Sequence, residues 1–507
     1  MGKQLIYNDD GWSSYMRYPA PMSPEDILRV TVEPVAGTAV SVYQFCALGG
    51  HAVNYGSGFL PRVGDAMDRI NTMHVWRMRQ TLERLAAMET DPLRIVSEGC
   101  HERGLLCQFS LRMNDTHHTF RLPDGSPYFP ELSSPWFEQH PEALLPSGQL
   151  DYTHPEVHAY RLAQVREVLE NYDVDGIDLD FTRFRPWFRE GAQDAGRPLM
   201  TELVRRIADL TASRGKTLSA RLEYDPRASL DSGLDVETWL ADGLLDQVTL
   251  GGVGDHTPDA PAEWFIERAH KTGCKVYPGI EGQLHWLSGP GSGGTGLRPG
   301  NGVVDGYGPP SLPYMRAVAA VHYMDGADGV SLFNFTCAEG PFALQALTEL
   351  GSPQALALAD KQYVVAVWPW DAQVFQQPWE SRCRLEPGQD RASLTLRLAD
   401  APSPLSREPE AWLTLDWMGL NRCDDVAVSI NGIDLDPSGG GYNHWDHGCW
   451  NDMLGYEVPA AALWQGDNEL LIDRQVAHEG FEGAIQLRRC VLEVTYSRGY
   501  APGVGLV

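Results

Sequence analysis

Apolar and polar residues alternate from Asp175 to Phe181, D-G-I-D-L-D-F, placing Ile177, Leu179 and Phe181 on one face and Asp178 and Asp180 on the other. A strand that is apolar outside and doubly acidic inside suits a parallel β/α barrel, whose helices cover the outer face. Eight strand-like runs precede residue 335: Leu5–Asp9, Ala39–Cys46, Leu105–Leu111, Val174–Phe181, Thr217–Glu223, Gln247–Gly251, Lys275–Ile280 and Gly329–Phe333. Helical spacing fills Glu156–Asn171, Met200–Ser213, Ala262–Lys271 and Leu312–Met324 between them. Eight alternating units predict an α/β fold, a (β/α)8 TIM barrel over residues 1–355.

The texture changes after Lys361. Tyr363–Trp368, Ala392–Leu398, Ala411–Trp417, Val426–Ile430, Glu469–Ile472 and Ile485–Tyr496 read as strands separated by turn residues. They predict an all-β sandwich of jelly-roll type over residues 356–507. The runs resemble those of galactose-binding-like modules. A structural role, packed on the barrel or on a second subunit of a homodimer, is the expectation. Two long insertions, Asn114–His154 and Gly282–Pro310, follow strand ends and are expected on the catalytic face as binding loops.

Composition narrows the partners. With 507 residues and 43% hydrophobic content, the chain can bury more than one core. A formal net charge of -28 argues against nucleic acid or an anionic membrane as partner. The 9 cysteines are scattered without a C-x-x-C pair, favouring free thiols in a reducing compartment. No signal peptide or long apolar span is visible, so a soluble cytoplasmic protein is expected. No nucleotide loop, metal-ligand spacing or nucleophile elbow occurs; His256 and His285 stand alone, and Gly289–Gly300 lacks a following lysine and helix. No cofactor or metal is expected.

In a barrel every strand delivers its last residues to one rim. That rim collects Asp9 and Asp10 from strand one, Arg112 and Asn114-Asp115-Thr116-His117-His118 from strand three, and Asp180, Arg183 and Arg185 from strand four. It also collects Glu223 and Asp225, then Glu281, then Asn334. Buried carboxylates are costly unless paired, and clustered ones usually mark a site, here one suited to cleaving sugars. Arg112, Arg183 and Arg185 can form a fork for a carboxylate, or pair with neighbouring aspartates. Neighbours on a strand face opposite ways, so Asp9 and Asp10 cannot both point inward. Asp10, next to Gly11 and nearer the mouth, is preferred, with Asp9 the alternative.

The run Asp175, Gly176, Asp178 and Asp180 resembles the D-G-x-D-x-D-x-E motif of family 18 chitinases, but Thr182 stands where their catalytic Glu would be. N-D-D-G after strand one, R-x-x-x-x-H from Arg112 to His117 and F-x-R ending at Arg185 resemble the inverting exo-sialidases of glycoside hydrolase family 156. That resemblance covers the order of parts along essentially the whole chain. It implies sialylated glycans or free sialic acid as partner, Asp10 as base and His117 as acid. It further implies that Arg112 and Arg185 hold the sialic acid carboxylate, with Asn334 as a further ligand. Histidines ordinarily titrate near ~6.5 and so carry a proton in mildly acidic solution, though His118 is a direct competitor. Two other readings stand beside it: a retaining glycosidase using Asp180 and Glu281, and a non-catalytic glycan-binding protein on a degenerate barrel.

Overall fold

A computed structural model describes residues 4–11, 18–46, 51–251, 262–281, 311–333, 335, 343–365, 383–400, 410–422, 425–437, 442–446 and 449–496. Eight parallel strands close into a barrel in chain order. They are β1 Gln4–Asp9, β2 Val40–Cys46, β3 Leu106–Arg112, β4 Gly176–Asp180, β5 Thr217–Leu222, β6 Gln247–Leu250, β7 Lys275–Glu281 and β8 Gly329–Phe333. The expected fold class is the one observed. Of the two insertions, the first holds a short helix, Pro135–Gln139, among tight turns; the second, Gly282–Pro310, lies outside the described residues.

Helix starts follow from local chemistry. Asp91 accepts the Arg94 amide at the start of Pro92–Glu102, and Ser311 accepts the Tyr314 amide at the start of Leu312–Met324; proline opens both helices. Pro155–Asn171 and Gln193–Ala212 bury Val165, Val168, Leu203 and Ile207. On the strands, Phe109, Ile177 and Leu179 are wholly buried. None of the described helices is long and apolar enough to cross a membrane.

The inner face is built in polar rows. Register aligns Asn8, Gln44, Gln108, Gly176 and Thr217 across neighbouring strands. Asn8 donates to Gln44 at 3.1 Å, Gln44 to Gln108 at 3.0 Å, and Gln108 to both Gln247 at 2.8 Å and Thr217 at 3.1 Å. Bulky branched apolar side chains commonly fill this space. Here amide-to-amide bonding pairs most of the buried polar groups instead, the Asn8 Oδ1 being left without a partner. Gly176 leaves the room through which Gln108 reaches Thr217. Two residues further along, the rows are Ser110, Asp178 and Ser219, then Arg112, Asp180 and Arg221. Polarity therefore rises to full charge toward the strand C-termini.

Contacts divide the chain into two compact units. The second comprises the helix Leu312–Met324 and residues from Ser352 onward. It contains two antiparallel sheets, β10-β18-β12-β16-β15 with β9 joined to β18, and β11-β17-β13-β14. The first runs through β9 Lys361–Val365, β10 Arg384–Leu385, β12 Glu410–Met418, β15 Tyr442–Asp446, β16 Cys449–Val458 and β18 Ile485–Thr495; the second through β11 Arg391–Leu398, β13 Val426–Ile430, β14 Ile433–Leu435 and β17 Gly466–Arg474. Leu413, Leu415 and Trp417 share a core with Leu470 and Ile472, which makes the unit a sandwich. Four of its described strands, β10 and β14 to β16, were not among the runs expected from the sequence. Gly455 obscures the alternation of Leu454, Tyr456 and Val458; any side chain there would strike the Trp412 ring of the paired strand. Cys46, Cys100, Cys107, Cys274, Cys383 and Cys490 are buried.

The polar row makes one position sensitive. A methyl group on Gly176 would lie 2.6 Å from the Thr217 carbonyl oxygen, which is fixed by the sheet. Gly176→Ala is expected to lower stability by about 1–3 kcal/mol, the usual cost of overpacking. Denaturant unfolding measures it, and an unchanged midpoint would contradict the packing described.

Candidate active site

The inner-row alternation sets the roles of the two aspartates ending β1. With Asn8 on the inner face, Asp9 turns outward and Asp10 inward. Asp9 is fully buried and accepts hydrogen bonds from the Tyr43 hydroxyl at 2.6 Å and the Gly11 amide at 2.9 Å. Burial, reinforced by the charge of Asp10, pushes its carboxyl up to about 6. Gly11 has φ +69°, and a side chain there would collide with the Cys46 carbonyl at the end of β2. That close approach brings the partly buried Asp10 into the field of Arg112 and of Cys46. The Cys46 thiol, buried first and surrounded by Asp10, Asp180 and Asp115, is pushed up to about 12 despite Arg112. It is therefore no nucleophile at neutral pH.

At the end of β3, Asp115 joins Arg112 to His117. Arg112 Nη1 donates to its Oδ2 at 3.0 Å, while the His117 amide and Nδ1 lie 2.9 and 2.8 Å from its Oδ1. Burial alone would raise the Asp115 carboxyl, but His117 and Arg112 hold it well below the ordinary range. A carboxylate on Nδ1 fixes the ring and leaves Nε2 as the nitrogen for a ligand. The side chain of His117 is 20% exposed. Three rings surround it, Phe120, Phe129 and Phe184, at centroid distances of 5.2, 5.4 and 5.3 Å. His118 instead stacks on Phe137 at 4.1 Å, and burial pulls it down to about 4.

Of the arginines, Arg183 is the uncommitted one. It is 6% exposed, its Nε is buried without a hydrogen bond, and among the described residues its guanidinium has no ion-pair partner. It lies 5.2 Å from the Phe333 ring centre and 6.0 Å from that of Phe184. Burial, then the charges of Arg112 and Arg221, pull it down to about 10. Arg112 likewise has a buried Nε without a partner. Arg185 is 47% exposed and lies 3.1 Å from Glu223, so its charge is committed at the end of β5. Arg221, absent from the sequence-derived candidates, sits over the Phe333 ring at 3.5 Å, donates to the Thr182 hydroxyl at 3.0 Å and lies 3.6 Å from Asp180. The alternation T-L-S-A-R-L would have placed it inward beside Thr217 and Ser219.

The two aspartates of β4 differ. Asp180 accepts the Thr182 amide and hydroxyl at 2.8 and 2.6 Å on one oxygen and faces Arg221 with the other. Thr182, at the position of the chitinase Glu, thus braces Asp180 and Arg221. Asp178 accepts from Ser110 at 2.7 Å, and its other oxygen is buried without a partner. Asp175 begins the motif on the barrel's other end, where it accepts from the Cys107 amide at 2.7 Å and pairs with His101 at 2.8 Å. Asp225 caps the helix Pro226–Asp231. Asn334 and the side chain of Glu281 lie outside the described residues, as do His256 and His285. Among the described residues no group of three or more His, Cys, Asp or Glu side chains could hold a metal ion.

Burial first, then repulsion from Asp180, pushes the Asp178 carboxyl from its ordinary 3.8 up to about 6. The folded state then binds this proton more tightly than the unfolded chain. Its stabilising contribution is present below pH 3.8 and is lost as pH rises toward about 6. Relative to the parent protein, Asp178→Asn should therefore gain stability across that window, by at most ~1.4 kcal/mol per pH unit. Denaturant unfolding of both proteins at several pH values checks the sign, and a flat difference would contradict the burial described.

No protein-family model matches the chain, and no curated protein matches it. Among solved structures it is similar to α-L-fucosidase isoenzyme 2 from Paenibacillus thiaminolyticus, with TM-score 0.43 and 14% identity over 75% of this chain and 54% of that one. It therefore spans about half the length of that fucosidase. A chitinase from Chromobacterium violaceum gives TM-score 0.37 and 12% identity over 69% of this chain and 99% of that one. The PgaB (BpsB) glycoside hydrolase domain from Bordetella bronchiseptica gives TM-score 0.37 and 13% identity, again over 69% and 99%. Likenesses this slight assign neither a family nor a substrate.

Proposed function

We propose that this chain is a glycoside hydrolase releasing terminal sialic acid, with inversion at the anomeric carbon. The observation that carries the reading is the Arg183 guanidinium, buried beside Arg112 with no ion-pair partner among the described residues, at the end of the barrel that carries Asp10 and His117. A buried cation lacking a partner is unfavourable until an anion arrives. A sugar acid supplies that anion on the carbon where the bond breaks. Arg183 with Arg112 would take the carboxylate, and the exposed Arg185 would serve at the outer edge.

Inversion needs a base and an acid on opposite sides of the anomeric carbon. Asp10 takes a proton from water as the water oxygen bonds to that carbon. His117 Nε2 gives its proton to the departing glycosidic oxygen while Asp115 steadies the resulting ring. Water rather than an enzyme carboxylate as nucleophile avoids setting two carboxylates against each other. The retaining alternative through Asp180 and Glu281 fits less well, because Asp180 is already held by Thr182 and Arg221.

Proton NMR of an α-sialoside incubated with the protein is the test. The β-anomer should appear first; initial α-anomer would reject inversion, and no release at all would favour a glycan-binding protein. Asp10→Asn and His117→Ala should each lower kcat by roughly 10²–10⁴-fold, the usual range for general acid–base groups. Asp115→Asn should also lower kcat, since it frees the His117 ring. An aryl sialoside, whose leaving group needs less protonation, should recover much of the His117→Ala loss. Full activity of Asp10→Asn would exclude it as the base.

A further inference from the structure

The rings around His117 form an apolar cluster at the site, with Phe120 exposed and Phe129 and Phe184 half-buried. A hairpin in the β3–β4 insertion carries Phe120 and leads into Phe129, while Phe184 comes from the segment after β4: the Leu122 amide donates to the Ser126 carbonyl at 2.9 Å and the Tyr128 amide to the Phe120 carbonyl at 2.8 Å. Gly125, with φ +83°, makes the turn. The hairpin holds Phe120 at 41% and Tyr128 at 54% exposure. Phe120 packs 6.1 Å from both Phe129 and Phe184, and Tyr128 packs 4.4 Å from Phe129. Exposed aromatic patches that neighbour a charged site mark binding surfaces.

Asp115 occupies Nδ1 of His117, so a reacting group must approach Nε2, within the same ring of phenylalanines. Resting on the function proposed above, that group is the glycosidic oxygen, and whatever leaves with it must lie against these rings. We propose that Phe120, Phe129 and Phe184 form the leaving-group subsite and select a pyranose seated by its apolar C–H face, its hydroxyls turned to water. The arginine side of the pocket then recognises charge, and the phenylalanine side recognises the shape and polarity of the adjoining sugar. Cleavage specificity would come from both halves.

The test compares kcat/KM for an α-sialyl-galactoside with that for methyl α-sialoside, whose leaving group has no ring to stack. Differences in intrinsic leaving-group reactivity are the same for every variant and cancel when the ratio is compared between them. Phe120→Ala should lower the disaccharide-to-methyl ratio at least about fivefold, the scale on which apolar contacts discriminate substrates. Phe120→Tyr, which keeps the ring, should retain the parent ratio. A proportionate loss on both substrates would show that Phe120 only supports His117, and an unchanged rate on both would show that it contacts no leaving group; either result overturns the subsite. If the parent protein cleaves neither glycoside, the sialidase reading itself fails and the subsite falls with it.

Discussion

Arg183 sets the terms for the rest of the pocket. Its charge is withdrawn from water and faces the Phe333 and Phe184 rings, while the nearby carboxylates are spoken for: Asp180 by Thr182 and Arg221, Asp115 by Arg112 and His117. Ring faces attract a guanidinium, but each such contact contributes only ~0.5–2 kcal/mol, less than burying a charge costs. Such a pocket favours an anionic ligand. In the function proposed above, a ligand carboxylate would supply the missing charge and be fixed at one end, with Asp10 and His117 serving the adjoining atom.

The barrel makes this possible through the order of its inner rows. Amides bonded to one another fill the level of Gln44 and Gln108, Asp178, its carboxyl pushed up by burial, occupies the next, and Arg112, Asp180 and Arg221 close the top. Each row is separated from the next by the two-residue step of a strand. In the lowest row Asn8, Gln44, Gln108, Gln247 and Thr217 are linked by side-chain hydrogen bonds, and Ser110 donates to Asp178 in the next. Asp115 performs the same service outside the strand, linking the rim arginine to the histidine in a single turn.

Much of this was legible in the sequence where strand periodicity held. The barrel strands, the inward direction of Asp178 and Asp180, and the outward turn of Asp9 all follow from period-two alternation. Beyond the strand ends that rule lapses. Arg183 and Arg185 are two residues apart in a loop, and spacing could not say which one turns inward. The Asn114 amide donating to the Arg183 carbonyl at 3.0 Å and the Phe184 amide donating to the Asn114 carbonyl at 2.9 Å fix the local backbone. Arg221 escapes a reading of the strand ends for a different reason: it lies within β5, where register places it beside Asp180. In the sandwich, Gly455 interrupted a pattern whose meaning depends on Trp412 of the neighbouring strand.

The central claim is that the buried Arg183 charge awaits a ligand anion. Thermal unfolding of the parent and of Arg183→Met, each with and without saturating N-acetylneuraminic acid, tests it directly. A ligand that binds only the folded state raises stability by about 2.7 kcal/mol at a hundredfold excess over Kd. The account predicts that the parent gains Tm on adding the sugar acid. Arg183→Met should start at a higher Tm, relieved of an unpaired buried charge, and gain nothing. A variant that starts lower than the parent yet keeps the full ligand-induced rise would contradict it.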